Sequence, residues 1–281
     1  MGTVGPGGSV VPWDPPYAQW VVKLSKRCNL RCTYCYEFPF LADGSRMELP
    51  QIAAMFRHIA DRFIGTSRRM DFVWHGGEPL LQKPSYYRAI EELEHEIFDP
   101  VGIGFKNFVQ TNLTVLNEGV VSLFRTFFHN VGVSIDLFGD QRVNIAGRPV
   151  ERIVLRNMQT LKDEGIAFGC ITVLSKATAP HVESIYRFFE DIQTSFRFLP
   201  IYRTGYFGQQ DTTALTAEEI VAAFQKVVDR WLSSDRAIRV NPVQEYIVHV
   251  VRRLDGGLGR RRYYDKRQGE IVYIVDTDGS L

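Results

Sequence analysis

Three cysteines fall within eight residues, in Ser25-Lys-Arg-Cys28-Asn-Leu-Arg-Cys32-Thr-Tyr34-Cys35-Tyr36. A C-x3-C-x2-C loop offers three thiolates to a metal centre that prefers four ligands, and cysteine thiolates are the usual ligands of iron–sulfur clusters. A [4Fe–4S] cube held by three of them keeps one iron open for chemistry. Zinc and disulfides also use closely spaced cysteine. A structural zinc site wants four Cys or His ligands, usually as two close pairs. Here there is one triplet, and the remaining cysteine, Cys170, lies far off in an apolar, strand-like run that suits a small buried core residue. None of the six histidines is in the loop, although a remote one such as His75 could complete a site. A disulfide framework fits less well, since four cysteines in 281 residues are sparse and no secretory leader is read before them. The cluster is the leading reading and zinc its rival.

The elements that must position this loop follow from hydrophobic periodicity. The apolar run Trp20 to Leu24 reads as a first strand, and Glu48 to Ile64 as a helix with Ile52, Met55, Phe56, Ile59 and Phe63 at three- and four-residue spacing. Further strands are expected at Met70 to Trp74, Phe105 to Gln110, Val131 to Ile135, Ala167 to Leu174 and Phe196 to Leu199. Helices are expected at Ser85 to Ile97, Glu118 to Phe128, Val150 to Lys162, Pro180 to Ile192, Ala217 to Trp231 and Pro242 to Leu254. This alternation implies right-handed βαβ units, a parallel sheet and an open or partial barrel of six strands. Ligands of such sheets sit at the carboxyl ends of the strands, so the distinctive residues should follow strands. They do.

Strand two ends in His75-Gly76-Gly77-Glu78-Pro79, where two glycines let backbone approach a ligand and a carboxylate can accept from an ammonium group. Alone this is a weak signal, equally an ordinary strand-to-helix turn. Strand three ends in Gln110-Thr111-Asn112, which could be caps. Strand four ends in Ser134-Ile-Asp136, with Arg142 and Arg148 close behind. Either guanidinium could fork onto a carboxylate.

With Tyr34 before its third cysteine, the triplet resembles the signature of the radical S-adenosylmethionine (SAM) superfamily. The Gly-Gly-Glu, Gln-Thr-Asn and Ser-x-Asp elements are similar to those of its peptide and protein maturases, and the likeness runs from Val22 to about Pro200. It implies an α/β fold, a partial (β/α)6 radical SAM barrel over residues 18–235, between a flexible segment 1–17 and a short carboxyl-terminal extension 236–281. It also implies one [4Fe–4S] cluster on Cys28, Cys32 and Cys35, with SAM chelating the open iron. Gly76, Gly77 and Glu78 would bind the amino group of SAM, and Gln110 and Asn112 would face SAM and substrate. Ser134 would lie near the SAM carboxylate or ribose, and Arg142 or Arg148 would pair with the carboxylate. Tyr34, Tyr36, Leu199 and Tyr202 are candidates for the wall beside adenine, with core packing as the alternative for the aromatics. Asp136 is the expected proton acceptor. The family often has glycine after this aspartate, whereas Leu137-Phe138-Gly139 stands here and shapes the loop differently.

In the family an electron passed into the SAM sulfonium yields methionine and a 5′-deoxyadenosyl radical that abstracts hydrogen. The leading expectation is a cross-link in a ribosomally made precursor peptide, a cyclophane between an aromatic ring and a β-carbon. Sulfatase-type oxidation of a Cys or Ser side chain is the alternative within the enzyme class, and a catalytically silent peptide-binding scaffold the alternative outside it. The implied partners are a precursor peptide and an external reductant such as flavodoxin or ferredoxin. Such relatives continue into a cysteine-rich SPASM domain, for which this chain has no cysteines. Residues 271–281 look like the hairpin that opens it, with Asp-Gly as the turn signal. That implies a lost domain or a shortened chain, and a single cluster.

Composition adds limits. At 45% hydrophobic the chain can bury a full core, and a net charge of +1 gives no global case for nucleic acid or membrane. Arg252-Arg253 and the run from Arg260 to Arg267 read as a solvated basic surface rather than a site for an acidic peptide, phosphate or RNA. No apolar stretch is long enough to span a bilayer, so a soluble, cytoplasmic protein is expected.

Overall fold

A computed structural model describes residues 16–201, 212–236, 238–256 and 271–281. Most of the expected amino-terminal segment, Tyr202 and the run from Arg260 to Arg267 lie outside the described residues.

Strand β1 (Tyr17–Ser25) alternates half-buried and buried positions, as a strand with two different faces must. Helix α1 (Leu49–Phe63) turns Ile52, Phe56, Ile59 and Phe63 inward, and Glu48 with Gln51 forms a capping box at its start. The alternation continues through β2 (Arg69–Gly76), α2 (Pro84–Phe98), β3 (Phe105–Thr111), α3 (Glu118–Thr126), β4 (Phe128–Ser134), α4 (Glu151–Asp163), β5 (Phe168–Leu174), α5 (Val182–Asp191) and β6 (Phe196–Pro200). Helix α6 (Ala217–Leu232), β7 (Val240–Asn241), α7 (Val243–Leu254) and β8 (Val272–Val275) complete it.

All eight strands lie in one sheet of order β7-β6-β5-β4-β3-β2-β1-β8, and every pairing is parallel. Between sheet and helices Phe56 packs on Phe72 and Phe98 with ring centroids 5.0 and 5.2 Å apart. Two edge strands thus extend the six-stranded expectation. β7 is only two residues long, too short to show a period. The segment expected to open a hairpin instead runs β8 parallel to β1, from Gln19↔Val272 to Val22↔Val275. It supplies the hydrogen-bond partners that the outer edge of β1 would otherwise lack, and Tyr273 stacks on Trp20 at 4.3 Å. The expected turn does form, with Gly279 N donating to Asp276 O at 2.8 Å. β4 begins before its expected start because Phe127 and Phe128 leave the helix to pack against Tyr87, at 5.5 and 5.2 Å. Among the described residues no helix is long and apolar enough to cross a membrane.

One buried polar chain crosses this core. Trp74 Nε1 donates to Asn107 Oδ1 at 2.7 Å, and Asn107 Nδ2 donates to Glu94 Oε2 at 2.8 Å. The other Glu94 oxygen has no partner among the described residues, and burial pushes the Glu94 carboxyl up from 4.5 to about 8. Between these values the folded chain keeps a proton that the unfolded chain has lost, so this group lowers stability as pH rises. Glu94→Gln should therefore gain in melting temperature over the parent as pH is raised from 5 towards 8. A difference that stays constant with pH would show that Glu94 does not titrate on unfolding.

Candidate active site

Parallel strands place all their carboxyl ends on one rim, and the segments after β1 to β4 meet there. Gly77 N donates to Ser25 O at 2.8 Å and Glu78 N to Arg27 O at 2.9 Å. A Cβ added to Gly76 would lie 2.3 Å from Ser25 O, and one on Gly77 would lie 2.1 Å from Arg27 O. Gly76 also takes φ +115°, a region that disfavours side chains. The two glycines therefore seat the backbone of the cysteine loop against the end of β2.

Cys28, Cys32 and Cys35 are free thiols. All three line one cavity of about 150 Å³, with Gly76, Gly77, Gln110, Asn112, Ser134 and Arg142 on its other walls. Among the described residues no three His, Cys, Asp or Glu side chains gather closely enough for a single metal ion. Thiols spread around a cavity suit a cluster, whose ligands sit on separate irons. Burial pushes the Cys28 thiol up to about 12 and the Cys35 thiol up to about 11. Burial also raises Cys32, with the Arg142 cation pulling the other way. Loading such a site must release protons. Leu30 N and Asn112 Nδ2 lie 3.4 and 3.8 Å from Cys28 Sγ as donors. The donor set fits a three-cysteine cluster.

Glu78 is 1% exposed. Its carboxylate accepts from Leu80 N at 2.9 Å, Thr111 Oγ1 at 2.7 Å and Asn112 N at 2.7 Å. Burial raises its pKa and these three bonds oppose the rise. Glu78 thus ties β2 to β3 from behind the cavity wall. Asn112, held in this way, donates to Asn29 Oδ1 at 3.0 Å as well as towards Cys28. On the neighbouring wall Gln110 Nε2 donates to Ser134 Oγ at 2.7 Å. Gly132 makes room for this bond, since a Cβ there would meet Gln110 Oε1 at 2.2 Å.

Asp136 corrects an expectation. Its side chain is 0% exposed, and it accepts from the Tyr34 hydroxyl, from Arg142 Nε at 2.8 Å, from Val173 N at 2.7 Å and from Thr172 Oγ1 at 3.4 Å. Four donors occupy the carboxylate and it does not line the cysteine cavity, so it is poorly placed to take a proton from substrate. Instead it holds Tyr34 and Arg142, whose guanidinium lies 5.7 Å from the Tyr34 ring centroid.

The structure also separates the two arginines. Arg142 faces the cavity, whereas Arg148 is exposed and among the described residues is engaged through its backbone, its N donating to Asn144 Oδ1 at 3.0 Å. Leu199 lies off the cavity, opposite Val173 across the sheet. Tyr36 lines the cavity while 48% exposed. Glu37 joins the lining without any signal in the sequence, because Lys23 Nζ, 2.5 Å away, reaches it from β1. His75 also lines it, and its Nδ1 accepts from Gly76 N at 2.7 Å. Burial and the Lys23 charge push this imidazole down, favouring its neutral form.

Residues 22–189 match the family model described as the Radical SAM superfamily. A serine-type anaerobic sulfatase-maturating enzyme of Bacteroides thetaiotaomicron is 29% identical over 201 residues, covering 68% of this chain and 47% of that protein. A cysteine-type enzyme of Clostridium novyi is 26% identical over 184 residues, covering 62% and 48%. The chain therefore spans less than half the length of these relatives. Among solved structures, native anSMEcpe with bound AdoMet superposes with TM-score 0.73 at 21% identity, over 93% of this chain and 72% of that one. SuiB of Streptococcus suis bound to S-adenosylmethionine superposes with TM-score 0.62 at 14% identity, over 94% and 59%. At these identities the two structures establish the fold.

Gly77→Ala should displace the cysteine loop, since its new methyl would meet backbone rather than a movable side chain. Iron bound per chain after anaerobic reconstitution should fall several-fold, with the far-ultraviolet circular dichroism retained. Gly169→Ala, whose nearest neighbour would be 3.8 Å away, serves as the control. Equal iron in both variants would refute the seating role.

Proposed function

Since the chain belongs to the radical SAM superfamily, we propose that it modifies a peptide or protein side chain by hydrogen abstraction. Cys28, Cys32 and Cys35 would hold one [4Fe–4S] cluster with SAM beside it. The observation that carries this reading is the single cavity on which the three free thiols, Arg142 and the polar ends of β3 and β4 converge. When bound there, cluster and SAM supply a hydrogen-abstracting radical.

The chain's own residues then have separable tasks. The three thiols ligate, and the Asn112 amide supports Cys28 from outside. Arg142 presents a positive charge that suits a SAM carboxylate, with Nε already fixed by Asp136 at 2.8 Å and its remaining nitrogens without a partner among the described residues, available to fork. Gln110 and Ser134 offer a joined pair of polar groups beside it. Asp136 is a positioning residue: it orients Arg142 and Tyr34 and leaves substrate deprotonation to another group.

The finer reading is a carbon–carbon cross-link in a precursor peptide, a cyclophane between an aromatic ring and a β-carbon. Its support is the resemblance of the Gly-Gly-Glu, Gln-Thr-Asn and Ser-x-Asp elements to those of peptide and protein maturases, a group that includes both cross-linking and sulfatase-maturing enzymes. The sulfatase-maturating relatives at 29% and 26% identity favour a second reading, oxidation of a Ser or Cys side chain in a protein substrate. Reconstitution with iron and sulfide, then reduction with SAM, should give about four irons per chain and 5′-deoxyadenosine. Neither product forming would sink both readings. Mass spectrometry of a co-expressed aromatic-rich peptide, and of a protein carrying a short Ser- or Cys-containing sulfatase motif, would decide between them. A loss of two hydrogens without reaction towards an aldehyde reagent marks a cross-link, whereas an aldehyde marks Ser or Cys oxidation.

Asp136→Asn should leave Arg142 as an uncompensated buried cation, at a cost of about 3–5 kcal/mol. SAM binding should weaken with it, while Arg148→Ala leaves binding unchanged. Unaltered stability and SAM affinity in Asp136→Asn would remove the ion pair from the design of the site.

A further inference from the structure

The face of the sheet turned away from the helices carries a second hollow. Register partners in a parallel sheet point to one face, and so do positions two apart along a strand. Gly132 lies opposite Gln110 on one side and Gly169 on the other. The next row on this face is Ser134, Ile171, Arg197 and Asn241, running from β4 to β7. On β6 Phe196 and Phe198 are buried against the helices, while Arg197 and Leu199 are exposed on the opposite face. Gln110 and Ser134 line the cysteine cavity, so Arg197 shares a face with that cavity. It stands two strands from Ser134, about 10 Å at the usual strand spacing.

An open hollow of about 330 Å³ occupies this part of the face. Gly132 and Gly169 lie side by side in its floor, where the lack of side chains leaves room for a ligand. Arg197, Arg239 and Asn241 line it, and no acidic side chain does among the described residues. Both arginines are exposed and form no ion pair among the described residues. The Asn241 side-chain oxygen is buried and has no partner among the described residues, a state that a bound donor would relieve.

Two guanidinium groups without an acid match an anion, and their forked geometry suits a carboxylate. An unpartnered amide oxygen matches an N–H. A peptide segment bearing a carboxylate supplies both. We propose that this hollow binds a carboxylate of the substrate peptide between Arg197 and Arg239, with a backbone N–H of the same segment donating to Asn241. The chain then runs over the glycine floor towards Gln110 and Ser134. About 10 Å of extended chain is about three residues, so the grip sets which residue meets the cysteine cavity: one about three positions from the carboxylate. This deepens the peptide-modifying function above and rests on it.

The probes are fluorescently labelled peptides: Ala-Phe-Ala-Phe-Ala with a free carboxyl terminus, its carboxyl-terminal amide, and that amide with the last Ala replaced by Asp. Their affinities for the reconstituted full chain are read by fluorescence anisotropy with SAM present. The free acid or the Asp peptide should bind about tenfold tighter than the neutral amide. Whichever does so tells whether a terminal or a side-chain carboxylate is held. In the double variant Arg197→Gln with Arg239→Gln this preference should vanish, while affinities for the neutral amide and for SAM stay as in the parent. Arg187→Gln, which removes an exposed arginine of α5, should keep the preference. No preference in the parent, or one that survives in the double variant, would overturn the proposal. So would its loss in Arg187→Gln, which would reduce it to general charge attraction. Formation of 5′-deoxyadenosine with dithionite is measured alongside. If it is absent while the preference behaves as expected, the radical function fails and the carboxylate site stands; if it forms without any preference, the reverse holds.

Discussion

The backbone of Gly76 and Gly77 lies directly on the backbone of Ser25 to Arg27, and the rim of this protein is built from that contact outwards. A methyl group at either glycine would sit 2.1 to 2.3 Å from a carbonyl oxygen, so the approach is open to glycine alone. It places the start of the cysteine loop over the end of β2. The next residue, Glu78, then turns inward and holds Thr111 and the Asn112 amide. Asn112 reaches back to Asn29 and Cys28. Glycine, carboxylate and amide thus form one path around the rim, ending on a thiol.

A second buried group supports the opposite side. Asp136 binds Arg142, Tyr34 and the β5 backbone while wholly enclosed. In a medium of low polarity an unpaired partner is costly, which makes such a pair a strict positional device. Arg142 is consequently held beside Cys32 with part of its guanidinium towards the cavity. The positive charge near the thiols belongs to the scaffold rather than to a mobile surface arginine, and Arg148 illustrates the contrast.

The carboxyl-terminal strand joins this arrangement at one point. β8 covers the outer edge of β1, and Asp276 at its end lies 3.3 Å from Lys26 and 3.9 Å from Lys23. Lys23 in turn holds Glu37 just beyond Cys35. The partly exposed Asp276 pairs contribute little to stability, but they bring the end of the chain to both flanks of the cysteine loop.

Much of this molecule is legible from its residues. The order of strands and helices, the parallel sheet and the rim position of the motifs follow from periodicity, because each βα unit carries its pattern locally. The spacing of the cysteine triplet likewise points to a cluster, and its resemblance to the radical SAM signature adds SAM. The edge strands β7 and β8 are not legible in this way: two residues show no period, and an Asp-Gly signal describes the turn but not the strand that precedes it. Nor are the roles of Glu78, Asp136 and Arg142. Sequence places these charged side chains beside a strand end and gives no direction to their carboxylates or guanidinium. Which charges face the cavity and which are enclosed behind it depends on donors from distant segments: Thr111 for Glu78, Tyr34 and Val173 for Asp136. Residue type and spacing determined what chemistry the site can hold. Only the packing of strands far apart in the chain decided which residues meet it, because burial and hydrogen-bond partners are set by neighbours in space.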